Sequence, residues 1–136
     1  MLFRDEYFFL SSFYPCVIPY AGFVFPSLEH AYHAAKFLDV RIWREILNAR
    51  TPGKAKRIAK KYPMRHEWED IKVNVMRDLI HIKFSIPALG AMLLATGNIK
   101  LVEDNWWHDT FWGVYEGEGQ NMLGQLLMAE RERLRQ

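Results

Sequence analysis

The 136-residue chain has a single cysteine, Cys16, so it can form no internal disulfide and no cysteine-based zinc site, and nothing in it favours an oxidising compartment. No uninterrupted apolar run approaches the ~20 residues of a membrane span. The opening MLFRDEYFFL puts Arg4, Asp5 and Glu6 where a secretory signal needs apolar residues. Neither export nor membrane insertion is therefore expected, and the cytoplasm is the expected location. An excess of one charge is missing too: 18 basic residues against 16 acidic ones leave a formal net charge of +2, too little for a global field that demands nucleic acid as a partner. The five histidines show no HExxH or other metal spacing, Ser11 and Ser12 lack a GxSxG setting, and no strand–GxGxxG–helix unit occurs. These absences argue against a metalloenzyme, a serine hydrolase and a dinucleotide fold, and no metal or redox cofactor is required. There are no repeats or linkers, and no signature of a particular oligomeric state.

What is present is a half-hydrophobic chain, 15% aromatic, long enough for one domain spanning residues 1–136. Residues 7–26, aromatic and β-branched with Pro15, Pro19 and Gly22 as punctuation, predict a short strand and a hairpin around Tyr20-Ala21-Gly22. Ser27 is a good N-cap for a helix reaching about Leu38. Asp39 caps a second helix over Arg41 to Asn48, and Thr51-Pro52 opens a third. Apolar spacing from Glu67 to Phe84 predicts a long central helix. Pro87 starts a fifth helix that Gly97 ends, Ile99 to Glu103 reads as a short strand, and Asn121 caps a last helix. The expected class is a mainly helical α+β domain of about six helices with a few short strands.

On the first helix Glu29, His33 and Lys36 share one side, bordered by Tyr32, while Leu28, Ala31, Ala34, Ala35 and Leu38 spread over the other. Periodicity alone favours a solvated polar face. If that face is covered instead, burial raises the pKa of the acid and lowers that of the lysine, and a partly neutral lysine is a nucleophile for a carbonyl carbon such as the open-chain C1 of a sugar. The loop DNWWHDTFWG concentrates indoles and carboxylates suited to a flat heterocycle, although such clusters are equally often core. Gly117 to Asn121 leads into a helix N-terminus, where a phosphate can meet backbone N–H groups. Lys54, Lys56, Arg57, Lys60, Lys61 and Arg65 form a basic run that reads as a solvated helix face or as an attractor for phosphate.

Several stretches taken in order resemble the YbiA-like, or NADAR, family. They are FLSSFYP from Phe9, SLEHAYHAAKF from Ser27, Met76 to Phe84, LATG from Leu94 with Leu101-Val-Glu103, and DTFWG from Asp109 running into GQNMLG from Gly119 and Leu127-Met128. The resemblance covers nearly the whole chain. It implies a mainly helical domain that cleaves an N-glycosidic bond, either in phosphorylated ribosylamino-pyrimidine intermediates of early riboflavin synthesis or in ADP-ribose attached to guanine. It also implies Glu29, Lys36 and Asp109 as catalytic residues. Trp68, Trp112, Gly113, Asn121, Ser12 and Tyr32 are the expected substrate-binding residues. In two places the chain departs from the family pattern: Ser12 stands where Asn is common, and His33 stands where Gln is common. His33 is thus the member of the polar face that the resemblance supports least.

Breaking a ribose C1–N bond builds positive charge at C1 and the ring oxygen, which calls for a carboxylate nearby and a proton donor for the departing nitrogen. Glu29 and Asp109 are the expected carboxylates, with Lys36 available as a Schiff-base amine. The expected partner is a phosphorylated ribosyl or ADP-ribosyl substrate, with nucleic acid only as an ADP-ribosylated substrate and no membrane. The alternatives are an ADP-ribosyl-guanine hydrolase acting on nucleic acid and a non-catalytic ADP-ribose or nucleotide-binding module.

Overall fold

Ala21 at φ 51 and Gly22 at φ 85 make the two-residue left-handed turn that suits the twist of an antiparallel hairpin. In the computed structural model, which describes residues 2–136, this turn joins β1 (Pro15–Tyr20) to β2 (Phe23–Ser27). Ile18 pairs with Phe25 and both are fully buried, whereas Val17 and Val24 face outward. The register shifts between Pro15 and Ile18, where proline cannot donate to the ladder.

Within residues 12–83, one of the two units into which the chain divides, four helices follow the hairpin: α1 (Leu28–Ala34), α2 (Val40–Leu47), α3 (Pro52–Ala59) and α4 (Trp68–Phe84, whose last residue belongs to the other unit). Their starts follow from side-chain caps. The Ser27 hydroxyl accepts from the His30 N–H, Asp39 from that of Arg41, and Thr51 from that of Lys54, with Pro52 at the first helical turn. Trp43 of α2 packs on Tyr20, Phe23 and Phe25, with centroids 5.5 to 6.1 Å apart, and donates its indole N–H to the Phe37 carbonyl at 2.8 Å. Ala55 and Ala59 are buried in α3, and α3 packs on α1 through such small residues.

α1 is shorter than the sequence predicts. It stops at Ala34, and the chain tightens into a 3-10 turn in which Lys36 N–H reaches the His33 carbonyl at 3.2 Å and Phe37 N–H that of Ala34 at 3.1 Å. At three residues per turn, positions 33 and 36 eclipse. Arg65 N–H then takes the Lys36 carbonyl at 2.8 Å, which pins the end of the turn.

The other unit, residues 2–11 with 84–136, contains a 3-10 helix over Asp5–Leu10 that the sequence reading did not anticipate, α5 (Pro87–Ala95) and α6 (Met122–Leu134). Gly97, at φ 65, lies just beyond the α5 C-cap, as predicted. The strand expected over Ile99 to Glu103 is absent. Its partner groups are taken instead by the Asn121 side chain, which donates to the Leu101 carbonyl and accepts from the Glu103 N–H, both at 2.9 Å. Asn121 therefore caps α6 by position, in a left-handed conformation, without a side-chain bond to the helix. A Cβ at Gly124 would stand 2.1 Å from the Leu101 carbonyl oxygen, so only glycine allows this approach. The fold is mainly helical α+β, with six α-helices, one 3-10 helix and a two-stranded sheet among the described residues. Among the described residues no single helix is long and apolar enough to cross a membrane.

Candidate active site

Every residue of α1 is buried, so the face that periodicity assigned to water is covered by the elements around it. Glu29 is 8% exposed and His33 4%. The two carboxylate oxygens of Glu29 have separate partners: Ser12 donates its hydroxyl to Oε1 at 2.7 Å, and His33 Nε2 bonds Oε2 at 2.8 Å. The Glu29 N–H also reaches the Ser12 carbonyl at 3.0 Å, which ties this residue to the start of the hairpin segment. Burial pushes the Glu29 carboxyl up, but the hydrogen bond and charge of His33, the Ser12 hydroxyl and the Lys56 ammonium outweigh it, so the pKa falls below the ordinary carboxylate value. Burial dominates at His33 and leaves its pKa below the ordinary imidazole value, against the pull of Glu29 and with Lys36 and Lys56 assisting. At neutral pH the pair is thus a carboxylate facing a neutral imidazole that carries its proton on Nε2.

Lys36 sits one eclipsed 3-10 position beyond His33. Its Nζ lies 5.4 Å from the centroid of the Tyr32 ring and makes no hydrogen bond or ion pair among the described residues. Burial pushes its pKa down; Glu29 opposes this, while Lys56, Lys60 and Lys72 add to it. Tyr32 is the hub of the cluster, in edge contact with His33 at 5.3 Å and with Trp68 at 5.2 Å. Trp68 is only 2% exposed, so it serves as a wall behind Tyr32. Ser12, Glu29, Tyr32, Lys36 and Trp68 therefore lie within one unit, together with His33 and the α3 lysines. Chemically the cluster offers a buried anion to face a developing cation, an amine of lowered basicity, and excess positive charge for an anionic ligand.

The remaining expected residues lie in the other unit, where backbone bonds occupy most of their polar groups. Asp109 Oδ1 accepts the N–H groups of Phe111 at 3.0 Å and Trp112 at 2.8 Å. Asn105, buried and not anticipated, donates to the Asp109 and Val114 carbonyls and accepts from the Asp109 N–H. A Cβ at Gly113 would stand 2.3 Å from the Glu103 carbonyl oxygen, so the glycine is there for close approach. Trp112 sits edge-on to Phe111 at 4.9 Å. Gly117 forms part of a tight turn closed by paired Tyr115 and Glu118 backbone bonds. At the start of α6 the N–H groups of Met122 and Leu123 already reach the Phe111 and Trp112 carbonyls, at 3.0 and 2.9 Å. Those two N–H groups are therefore not open to a phosphate at the Gly117–Asn121 turn. Among the described residues no three His, Cys, Asp or Glu side chains converge as metal ligands.

Sequence reasoning ranked His33 last, yet it makes a direct bond to Glu29; the signal was the i, i+4 spacing that brings such side chains together. Lys56 was legible only as one member of a charge run.

A small α+β fold with a buried carboxylate–imidazole pair beside a lysine of depressed basicity holds the groups that acid–base or carbonyl-directed chemistry uses. The family model described as the NADAR domain matches residues 2–135, and the chain belongs to that family. It is 40% identical over 134 residues to the N-glycosidase YbiA of Escherichia coli, covering 96% of this chain and 83% of that protein. The NMR structure of E. coli YbiA superposes with a TM-score of 0.85 at 40% identity, over 96% of this chain and 80% of that one. A riboflavin biosynthesis protein of Vibrio vulnificus is 42% identical over 136 residues, but the match, 97% of this chain, spans only 37% of that longer protein.

Proposed function

We propose that this protein hydrolyses the ribose C1–N bond of phosphorylated ribosylamino-pyrimidines. Family membership and identity to the N-glycosidase YbiA support a hydrolase acting on N-glycosyl compounds. The pyrimidine substrate draws support from the riboflavin biosynthesis names of the Vibrio relative and of the chloroplastic maize relative, the latter 43% identical over 126 residues, 82% of this chain and 20% of that protein. The single observation that carries the reading is a buried carboxylate, Glu29, held ionised beside a lysine whose basicity burial depresses.

In this reading Glu29 faces the positive charge that develops on C1 and the ring oxygen as the C1–N bond breaks. The bonding pair leaves on nitrogen, which takes up a proton, and water supplies the hydroxyl at C1. Lys36 opens a covalent variant of the same net reaction. Its neutral amine adds to C1 of the ring-opened sugar, the base amine departs with a proton, and water then hydrolyses the Schiff base. Lys56 and Lys60, which form no ion pair among the described residues, are the proposed phosphate holders. Asp109 orders the 105–113 loop through Oδ1.

Base release from a ribosylamino-pyrimidine phosphate, followed by mass spectrometry, tests the reading with wild type, Glu29→Gln, Lys36→Ala and Asp109→Asn. Loss of two or more orders of magnitude is expected for Glu29→Gln, whereas unchanged rates in all three variants refute the assignment. Asp109→Asn keeps an oxygen acceptor for the loop, so a large loss there reveals chemistry beyond loop order. Borohydride separates the two routes, because only a Schiff base leaves a sugar adduct on Lys36. A second reading, removal of ADP-ribose from guanine in nucleic acid, draws on a different feature: a groove of about 350 Å³ lined by Lys54, Arg57, Ile58 and Lys61. Steeply salt-dependent binding of an ADP-ribosylated oligonucleotide supports that reading.

A further inference from the structure

α1 carries two buried histidines three residues apart, and they differ in how many of their ring nitrogens are bonded. His30 uses both ring nitrogens: Nδ1 shares a 2.7 Å bond with the Ser27 hydroxyl, and Nε2 donates to the Ala49 carbonyl at 2.9 Å. It is a structural residue. His33 spends Nε2 on Glu29 at 2.8 Å, while its Nδ1 is buried with no hydrogen-bond partner among the described residues. A buried polar atom without a partner is costly and uncommon in native proteins. The carboxylate can only accept, so the proton sits on Nε2 and Nδ1 keeps a bare lone pair. A bare lone pair is the less costly way to leave a ring nitrogen unpaired. Protonation there would create a buried N–H with no acceptor.

We propose that His33 is a positioning residue for Glu29, working only as the neutral Nε2–H imidazole, and that its protonation at Nδ1 switches the site off at acid pH. The proposal rests on the preceding assignment of Glu29. Two partners fix the carboxylate, one on each oxygen, and Ser12 cannot titrate in the working range, which leaves His33 as the switchable one. The charged groups acting on the ring are Glu29 on α1, Lys36 in the turn beyond it and Lys56 on α3; none of them lies on β1, β2 or α2. An imidazolium would pair with Glu29 and cancel the field that the carboxylate presents to a developing cation. It would also add a third cation beside Lys36 and Lys56.

A glutamine at position 33 supplies an amide N–H to Glu29 and cannot titrate; a phenylalanine keeps the ring and supplies no donor. The expected outcome is a kcat fall of about 10- to 100-fold in His33→Phe, the scale of a lost hydrogen bond to a charged group, with KM little moved. His33→Gln should recover most of that loss and change the position of the acid limb of the kcat profile, because only Glu29 then titrates. Two results overturn the proposal: an acid limb in His33→Gln identical to wild type, or a folded His33→Gln as impaired as His33→Phe. Imidazole ¹⁵N NMR of the intact wild-type protein gives a readout that needs no substrate. An unprotonated Nδ1 at neutral pH that gains its proton below the ordinary imidazole range supports the proposal, and an Nδ1–H tautomer overturns it. If the wild type releases no base from any ribosylamino-pyrimidine, the functional reading fails while the NMR arm still decides the state of His33.

Discussion

Lys83 is the most deeply buried charge-bearing side chain of residues 12–83, at 1% exposed, with its Nζ 5.6 Å from the centroid of the Tyr14 ring. Burial pushes its pKa down from the ordinary 10.5 to about 8, with only the Cys16 thiol acting in the other direction. The unfolded chain keeps the ordinary value, so native and unfolded states bind protons differently between those two pH values. Below pH 8 both states are protonated and the fold bears the full penalty of a buried ammonium. As pH rises from 8 towards 10.5 the native state sheds its proton first, and stability climbs. The gap of about 2.5 pH units, at 1.36 kcal/mol each, gives about 3 kcal/mol in all, of which roughly half accrues by pH 9. Urea unfolding of wild type and Lys83→Met at pH 7, 9 and 10.5 isolates this contribution, because titrations elsewhere cancel in the difference between the two proteins. The wild type should gain on the variant by those amounts at unchanged m-value. A difference that stays flat from pH 7 to 10.5 refutes the reasoning, since it means that Lys83 holds its proton equally well folded and unfolded.

Gly124→Ala forces a Cβ to within 2.1 Å of the Leu101 carbonyl oxygen and should destabilise the fold by about 2 kcal/mol or more in a denaturant titration. Asn121→Gly keeps the left-handed backbone but leaves the Leu101 carbonyl and Glu103 N–H without their partner; a loss of about 2 kcal/mol is expected in the same assay. Ser12→Ala removes a donor that lowers the Glu29 pKa, so the carboxylate becomes easier to protonate; in the His33→Gln background, where Glu29 alone titrates, the acid limb of the rate profile should move to higher pH.

The local grammar of the chain was readable because it depends on neighbours in sequence. Ser27, Asp39 and Thr51 cap their helices through bonds two or three residues away, and Ala21-Gly22 makes its turn with no help from elsewhere. The misreadings share another feature: each depended on a distant partner. Ile99 to Glu103 has strand-like residues but lost its ladder to Asn121, 18 and 20 residues away, and the Gly117–Asn121 turn resembles an anion site until the N–H groups that follow it find the Phe111 and Trp112 carbonyls.

The polar side of α1 belongs to both kinds. Its i, i+4 pairing of Glu29 with His33 is local and was visible on the helical wheel, but whether that pair stands in water or in a dry interior depends on α2, α3 and the hairpin, which arrive from up to 30 residues away. In water such a pair contributes a few tenths of a kcal/mol and leaves both groups near their ordinary chemistry. Buried, with Ser12 on the second oxygen, it becomes a carboxylate of fixed orientation in a pair whose net charge depends on a single imidazole nitrogen. His30 and His33 are equivalent in composition, helix and spacing. What separates a structural histidine from one able to govern the site is that Ser27 and Ala49 occupy both nitrogens of the first, while only one nitrogen of the second is occupied.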